Sequence, residues 1–297
     1  MSATIIDGKI IAEQIKKEVR IGAETLKRDH GVTPGLAVIL VGDNPSSQIY
    51  VRSKGKTCAE LGYYSVTETL PGDTNEETLL RMIAQFNSDP RIHGILVQTP
   101  IPGHLPEQKI LEAIDPAKDV DGFHPINVGK LLIGEPCLRP CTPAGIQELL
   151  MRSGNDPGGK HVVVVGRSNI VGKPIASILM QKKPGANAVV TIAHTGAKDL
   201  RPYIREADIL IAAMGRPKSI TGDLLKPGCV VIDVGINRIP DPTTKTGTRL
   251  VGDVDFATAV NVASAITPVP GGVGVMTIAM LMKNTLEAAT MTVLRRR

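Results

Sequence analysis

A chain of 297 residues is long for one hydrophobic core, so we expect two domains. Its 42% hydrophobic and 21% charged residues are ordinary for a globular protein. The net charge of +5 does not indicate nucleic-acid binding, because the 34 Lys and Arg are spread along the chain and aromatic residues for base stacking are scarce. A mildly basic enzyme that handles anionic ligands is the better interpretation.

The cysteines indicate neither a metal site nor a disulfide framework, because they form no CxxC pair and have no histidine at zinc spacing. They are Cys58, Cys137, Cys141 and Cys229. Reduced thiols of a cytoplasmic protein explain them.

Asp7 and Lys9 interrupt the first apolar residues too early for a targeting segment. Residues 262–282 carry no charge, but prolines and glycines break the stretch, which predicts a buried loop leading into a helix and no membrane span.

Helices and strands alternate in the first half of the chain. Asp7 is expected to cap a helix whose apolar residues Ile11, Ile15 and Val19 recur near helical spacing until Gly31 ends it. We predict strands over 36–41, 65–70 and 92–98, with helices over 45–61 and 76–86 between them. This βαβαβ order predicts a parallel sheet with both faces covered.

The second half repeats this alternation and completes an α/β fold of two domains with parallel sheets, the C-terminal one Rossmann-like. We predict strands over 162–165, 189–192, 209–212 and 230–234, and helices over 173–181, 199–206 and 275–292. Thr142 and Pro143 start a helix after a Gly- and Pro-rich connection, which places a domain boundary there. The predicted domains are 1–141, 142–269 and a final segment 270–297 that returns to the first domain.

The segment VVVVGRSNIVGKP has the form of a nucleotide-binding turn, because four valines stop at a glycine before a helix. Gly166 fits the first glycine of the dinucleotide fingerprint. Ser168 stands where the second glycine belongs, and Gly172 comes one residue later than the fingerprint places its third glycine. The hydroxyl of Ser168 is a candidate phosphate ligand. A plain strand, turn and helix without a ligand explains the spacing equally well.

The residues after the next predicted strand favour NADP over NAD. An NAD site has an acidic residue that binds the ribose hydroxyls, whereas AVVTIA is followed here by His194, Thr195 and Gly196. Arg167, inside the turn, suits a 2′-phosphate. The alternative for Arg167 is an ordinary solvated turn residue.

Several polar residues are candidates for chemistry. Gln98 ends an apolar strand and precedes the turn TPIPG, while Asp119 and Asp121 lie in KDVDGFHP. Either aspartate binds a ligand or caps a turn, and capping is the commoner role. Tyr50 and Lys54 lie one turn apart on a predicted helix and share a face. A lysine held against apolar surface has a lowered pKa and serves as a general base, although most helical lysines are simply solvated.

Longer blocks of sequence extend these observations over nearly the whole chain. They are SSQIYVRSKGK (46–56), GILVQTPIP (94–102), PAKDVDGFHPIN (116–127), CTPAG (141–145), VVGRSNIVGKP (164–174), DVGIN (233–237) and TPVPGGVGVMT (267–277). In this order they closely resemble the bifunctional methylenetetrahydrofolate dehydrogenase/cyclohydrolase family. Ordered blocks are far more specific than any single motif.

The resemblance implies an N-terminal folate domain, a Rossmann NADP domain, a cleft between them and a cytoplasmic homodimer. It makes Lys54 the catalytic base and gives Tyr50, Gln98 and Asp121 the roles of positioning the pterin and tuning that lysine. The substrate-binding residues that it implies are Tyr50, Lys54, Val97, Gln98, Asp121, Pro268, Gly271 and Gly272. The cofactor-binding residues that it implies are Gly166, Arg167, Ser168, Ile170, Thr195 and Ile236.

The implied function is NADP-dependent oxidation of 5,10-methylenetetrahydrofolate to 5,10-methenyltetrahydrofolate, followed by hydrolysis to 10-formyltetrahydrofolate for one-carbon metabolism and purine biosynthesis. Two departures stand out. Family members usually carry a serine and a basic residue after the histidine, whereas this chain has Thr195 and Gly196. The 2′-phosphate site therefore lacks one basic side chain that the family usually supplies. Thr99 also replaces the leucine that is common after the glutamine.

Two other functions remain as alternatives to this interpretation. One is another two-domain NADP dehydrogenase of the shikimate or amino-acid type, which also pairs a lysine with an aspartate, although VQTPIP and TPVPGGVG argue against it. The other is a basic nucleic-acid-binding or cofactor-sensing module, whose binding to a random oligonucleotide would depend steeply on salt.

Overall fold

The computed structural model describes residues 2–244 and 247–295. Its α-helices are α1 (Gly8–His30), α2 (Pro45–Glu60), α3 (Glu76–Ser88), α4 (Glu107–Glu112), α5 (Pro125–Ile133), α6 (Cys141–Arg152), α7 (Gly172–Leu179), α8 (Arg201–Arg205), α9 (Phe256–Ala259) and α10 (Met276–Arg295). Its strands are β1 (Thr4–Ile5), β2 (Gly35–Val41), β3 (Tyr64–Leu70), β4 (Gly94–Val97), β5 (His161–Val165), β6 (Val189–Ala193), β7 (Ile209–Ala212), β8 (Val230–Asp233), β9 (Asn237–Pro240), β10 (Thr248–Val251) and β11 (Ala265–Ile266). The predicted α/β class is confirmed.

The chain folds into two compact units. The three-stranded unit comprises Gln14–Cys141 and Ile278–Arg297, and the six-stranded unit comprises Met1–Glu13 and Thr142–Thr277. The predicted domain division put 1–13 in the first domain and began the final segment at 270, so the compact units differ from it at both places. The cause of the first difference is that β1 pairs with β11 and so adds to the larger sheet. The functional assignment of the predicted domains stays a prediction.

The three-stranded unit is built on the parallel sheet β3-β2-β4. Every residue of the central strand β2 is buried, as its apolar sequence GLAVILV requires for a strand that is covered on both faces. The predicted strands and the helices α2 and α3 between them are present, with ends shifted by a few residues. Because all the strands are parallel, the residues that follow β2 and β4 emerge at the same edge of the sheet.

The six-stranded unit holds a parallel sheet in the order β1-β11-β8-β7-β5-β6. The valines of β5 are fully buried between β6 and β7. β6 lies at one edge of the sheet, and its Val189 and Ile192 are exposed. The sequence-based prediction missed several short elements of both units, because short elements show too little periodicity. They are the two-residue strands β1 and β11, the antiparallel hairpin of β9 and β10, and the helices α4 and α5.

The ends of the long helices agree with their predicted signals. The carboxylate of Asp7 accepts a hydrogen bond of 2.8 Å from the backbone N–H of Lys9, which caps α1 as predicted. The uncharged residues 262–282 form β11, a turn and the start of α10, and this confirms the predicted loop leading into a helix. Among the described residues, no helix is both long and apolar enough to cross a membrane.

Candidate active site

Helix α2 carries the predicted catalytic lysine. The helix begins after Asn44, whose side-chain oxygen accepts hydrogen bonds of 3.0 Å from the N–H of Ser46 and 3.1 Å from that of Ser47. This start places Tyr50 and Lys54 one turn apart, as predicted. Lys54 is buried with only 7% of its surface exposed, whereas Tyr50 is 47% exposed.

The amide of Gln98 holds the ammonium group of Lys54. Lys54 Nζ donates a hydrogen bond of 2.8 Å to Gln98 Oε1. Gln98 Nε2 donates in turn to the carbonyl oxygen of Thr99 at 2.8 Å, and the backbone N–H of Gln98 donates to the carbonyl oxygen of Ile39. Both ends of the amide are therefore fixed, and its oxygen faces Lys54. Two residues far apart in the sequence meet here because β4 ends beside β2.

Burial and nearby charges act on the pKa of Lys54 in opposite directions. Burial lowers it, while the negative charge of the neighbouring Asp121 raises it. Burial also raises the pKa of Asp121 to about 6 and that of Cys58 to about 12. The thiol of Cys58 is therefore neutral at ordinary pH, and Asp121 is the charge that opposes the fall in the pKa of Lys54.

The structure separates the roles of Asp119 and Asp121, which the sequence left open. The Asp119 carboxylate accepts hydrogen bonds from the backbone N–H of Gly122 (3.1 Å) and His124 (2.8 Å) and from Asn127 Nδ2 (2.9 Å). Asp119 thus has the turn-capping role. Asp121 accepts no hydrogen bond from the described residues, in which every fully buried side-chain nitrogen or oxygen has a partner. Its oxygens are therefore not completely buried and have no protein partner among the described residues, which leaves them available to a ligand.

The nucleotide-type turn after β5 requires glycine at two positions. Gly166 has a φ of 142°, and a Cβ atom there would collide with the carbonyl oxygen of Ala213. A Cβ on Gly172 would collide with the carbonyl oxygen of Gly166. Ser168 Oγ accepts hydrogen bonds from the N–H of Val171 (3.1 Å) and Gly172 (3.3 Å), so it caps the start of α7. Because the hydroxyl only accepts in these bonds, its own proton is still available to a ligand.

Arg167 lies beside the residues that follow β6. Its Nη2 atom is 4.0 Å from the position that a Cβ on Gly196 would occupy. The ring Nδ1 of His194 accepts a hydrogen bond of 3.0 Å from the N–H of Gly196, and Thr195 between them is exposed. The predicted elements of a 2′-phosphate site therefore lie together in the six-stranded unit.

The TPVPGGVG segment is a tight turn in the six-stranded unit. Gly271 has a φ of 110°, and a Cβ on Gly272 would lie 2.6 Å from the carbonyl oxygen of Pro268. A Cβ on Gly274 would lie 3.2 Å from Cδ1 of Ile236, which is 54% exposed. The turn and the predicted cofactor residue Ile236 are therefore neighbours.

The predicted substrate residues are divided between the two units. The three-stranded unit holds Tyr50, Lys54, Val97, Gln98 and Asp121, and the six-stranded unit holds Pro268, Gly271 and Gly272. Val97 is 3% exposed and its side chain belongs to the hydrophobic core of its unit, so that side chain is not placed to contact a ligand. Ile170, in the turn after β5, is 56% exposed.

Sequence models of one family match both parts of the chain. Residues 6–121 match the catalytic domain of tetrahydrofolate dehydrogenase/cyclohydrolase, and residues 140–293 match its NAD(P)-binding domain. The chain belongs to the tetrahydrofolate dehydrogenase/cyclohydrolase family. It is therefore an enzyme with the dehydrogenase and cyclohydrolase activities of that family.

Relatives of this family are similar over nearly the full chain. The Bifunctional protein FolD of Syntrophus aciditrophicus is 59% identical over 97% of this chain and 98% of its own. The structure of FolD from Campylobacter jejuni is 46% identical, with a TM-score of 0.92 over 98% of this chain and 100% of that chain. FolD from Trypanosoma brucei, solved with NADP and an inhibitor, is 40% identical, with a TM-score of 0.92 over 99% of each chain.

The shikimate-type alternative has support at the level of fold alone. Shikimate 5-dehydrogenase from Thermus thermophilus is 14% identical, with a TM-score of 0.52 over 86% of this chain and 99% of that chain. Identity this low carries no information about substrate. The tetrahydrofolate dehydrogenase/cyclohydrolase family, matched along the chain, decides against this alternative.

Sequence reasoning missed two buried carboxylates in the NAD(P)-binding part of this family member. Asp233 accepts hydrogen bonds from the N–H of Gly235, Asp253 and Val254, and burial raises its pKa to about 6. Asp253 accepts from the N–H of Met214 (2.7 Å) and that of the following residue. These carboxylates fix the loops after β7 and β8, at the strand ends where parallel sheets bind ligands. The available signals were the block DVGIN (233–237), which begins with Asp233, and the acidic segment GDVD (252–255), which contains Asp253.

Proposed function

We propose that this enzyme oxidises 5,10-methylenetetrahydrofolate to 5,10-methenyltetrahydrofolate with NADP and then hydrolyses that product to 10-formyltetrahydrofolate. The observation that carries the proposal is the buried Lys54, whose ammonium group donates a hydrogen bond to Gln98. The nearby charge of Asp121 acts on the pKa of this lysine. Hydrolysis of a cationic methenyl bridge requires a base, because water loses a proton as it attacks the carbon.

Lys54 is the general base in this proposal. Gln98 Oε1 accepts one N–H of Lys54, which orients the nitrogen and leaves its lone pair for a water proton when the amine is neutral. Burial favours that neutral form by lowering the pKa. Lys54 takes one proton of the attacking water and delivers it to the departing folate nitrogen. The second proton of that water leaves the tetrahedral carbinol for solvent as the formyl C=O forms, so the cation and water give the neutral formyl product and one proton.

Asp121 and Tyr50 bind the folate in this proposal. A carboxylate with two available oxygens accepts parallel N–H bonds from an aminopyrimidinone edge, and Asp121 has both oxygens free of protein hydrogen bonds among the described residues. The partly exposed Tyr50 lies on the same face of α2 as Lys54. The hydride step requires positioning more than proton transfer, and these side chains supply it.

The residues after β5 and β6 fit NADP. Gly166 and Gly172 let the backbone of the turn pack closely before the start of α7, the position where a dinucleotide site binds the pyrophosphate. The guanidinium of Arg167 beside Thr195 and Gly196 suits a 2′-phosphate. When bound, NADP accepts the hydride of the methylene carbon. The direction of selectivity in this proposal is NADP over NAD.

Assembly and location complete the proposal. The edge strand β6 exposes Val189 and Ile192, and a second copy of the chain that covers this edge in a homodimer would remove an exposed apolar strand. The cysteines are all free thiols, which supports a reducing compartment such as the cytoplasm.

A coupled absorbance assay tests the function. The purified chain is mixed with methylenetetrahydrofolate and either NADP or NAD, and the formation of reduced dinucleotide and of methenyltetrahydrofolate is followed. We expect NADPH to form and the methenyl product then to decay to the formyl form, with no reaction when shikimate replaces the folate. An enzyme that forms no NADPH from the folate would contradict the proposal.

A further inference from the structure

We infer that Asn284 of α10 is a positioning residue for the folate site, because it clamps the loop that carries Asp121. The inference rests on the folate-binding role proposed above for Asp121. Asn284 lies in α10, 163 positions after Asp121 in the chain, and it is buried with 4% of its surface exposed.

The amide nitrogen of Asn284 joins two loops. Asn284 Nδ2 donates hydrogen bonds of 2.8 Å to the carbonyl oxygen of Val120 and 2.8 Å to that of Arg139. The Val120 carbonyl oxygen also accepts a bond of 3.3 Å from Cys141 Sγ. Val120 immediately precedes Asp121, so the backbone on one side of the aspartate is held by α10 and by the start of α6.

The backbone on the other side of Asp121 is held by different contacts. Gly122 has a φ of 73°, and a Cβ there would lie 2.5 Å from the backbone nitrogen of Pro140. The N–H of Gly122 donates to the carboxylate of Asp119. Asp121 is therefore fixed through its two neighbours while its own carboxylate carries no protein hydrogen bond among the described residues.

The bonding pattern distinguishes Asn284 from other polar residues of α10. Thr285 and Thr290 donate to carbonyl oxygens of their own helix, at Leu281 and Leu286. Asn284 instead directs both N–H groups to loops outside the helix. Its loss would leave the Val120 carbonyl with only the weaker thiol bond, and the loop that orients Asp121 would relax.

The test replaces Asn284 by leucine, which keeps the branched shape of the side chain and removes both donors. We expect the KM for methylenetetrahydrofolate to rise roughly 3- to 10-fold, as one or two lost hydrogen bonds imply, with the KM for NADP unchanged. The acid limb of the cyclohydrolase pH profile should move to lower pH, because a displaced Asp121 no longer raises the pKa of Lys54. Thr285→Val, equally buried on the same helix, is the matched control and should change neither quantity.

A double-mutant cycle separates this inference from the role of Asp121 itself. If Asn284 acts through Asp121, adding Asn284→Leu to Asp121→Asn changes the folate KM no further. Effects that multiply, or a normal KM in Asn284→Leu, would overturn the inference. Normal kinetics in Asp121→Asn alone would instead overturn the proposed folate role of Asp121. If Asn284→Leu unfolds, Asn284→Ser keeps one donor and should give a smaller shift of the same kind.

Discussion

The two candidate sites of the molecule are built in different ways. In the three-stranded unit, Lys54 on α2, Gln98 after β4 and Asp121 in a loop are separate side chains that tertiary structure brings together. In the six-stranded unit, a continuous backbone turn from Gly166 to Gly172 forms the candidate dinucleotide site, and the missing side chains are its main feature. Chemistry thus depends on convergent side chains in one unit and on backbone shape in the other, so mutations in the first should affect the binding and hydrolysis of the folate and mutations in the second the binding of the dinucleotide.

The largest expected effect is from Lys54→Met. Cyclohydrolase activity should fall by roughly 10²- to 10⁴-fold, the usual contribution of a general base, while hydride transfer falls far less. The methenyl intermediate should accumulate in a stopped-flow absorbance measurement. Lys56→Met is the matched control, because Lys56 lies on the same helix with 79% of its side chain exposed and forms an ion pair with Glu60. Equal losses of both activities in a folded Lys54 variant would make Lys54 a binding residue only.

Arg167→Ser tests the other site. Removing one charge-assisted hydrogen bond of about 1.5–3 kcal/mol should weaken NADP binding roughly 10- to 150-fold and leave NAD binding nearly unchanged. Titration of each dinucleotide, monitored by fluorescence or calorimetry, measures this. Cyclohydrolase activity should be normal, and Arg249→Ser in the β9–β10 hairpin should change neither affinity. Equal losses for NADP and NAD would show that Arg167 holds the turn or the shared pyrophosphate.

Asp121→Asn should affect both activities through the folate. One acceptor becomes a donor that faces the pterin edge, and the mismatch of about 1–3 kcal/mol implies roughly a 5- to 150-fold rise in folate KM. NADP affinity should not change. Asp119→Asn provides the contrast, since Asp119 holds three N–H groups and its substitution should lower the free energy of unfolding. A normal folate KM in Asp121→Asn would assign this residue to the loop alone.

The smallest expected effect is a pH-dependent gain of stability in the same Asp121→Asn variant. The pKa of Asp121 in the folded protein is raised to about 6, above that of an unfolded aspartate. Asp121 therefore contributes stability that is fully present below about pH 4 and is lost as the pH rises through about 6. Asparagine does not titrate, so the free energy of unfolding of the variant relative to wild type should increase over that range. Urea denaturation at several pH values measures it, and a constant difference would contradict the raised pKa.

Local sequence signals were sufficient where one continuous segment carries the feature. The four valines of β5, the glycine turn after them and the spacing of Tyr50 and Lys54 on α2 were all predictable, because strand, turn and helix periodicity are local properties. The same logic located the Asp7 cap and the start of α6 near Thr142. The family could be recognised because its blocks are continuous and ordered.

Tertiary structure alone decided which of two aspartates is available and what holds it. Asp119 and Asp121 are alike in sequence, yet only the fold shows that Asp119 accepts three N–H groups while Asp121 accepts none from the described residues. The bond of Lys54 to Gln98 and the bonds of Asn284 to Val120 join residues distant in the chain. Sequence by itself determined the local elements and the chemical types of the residues, because these follow from neighbouring positions. Burial, pKa shifts and long-range hydrogen bonds depend on which elements pack together, and only the folded chain specifies that.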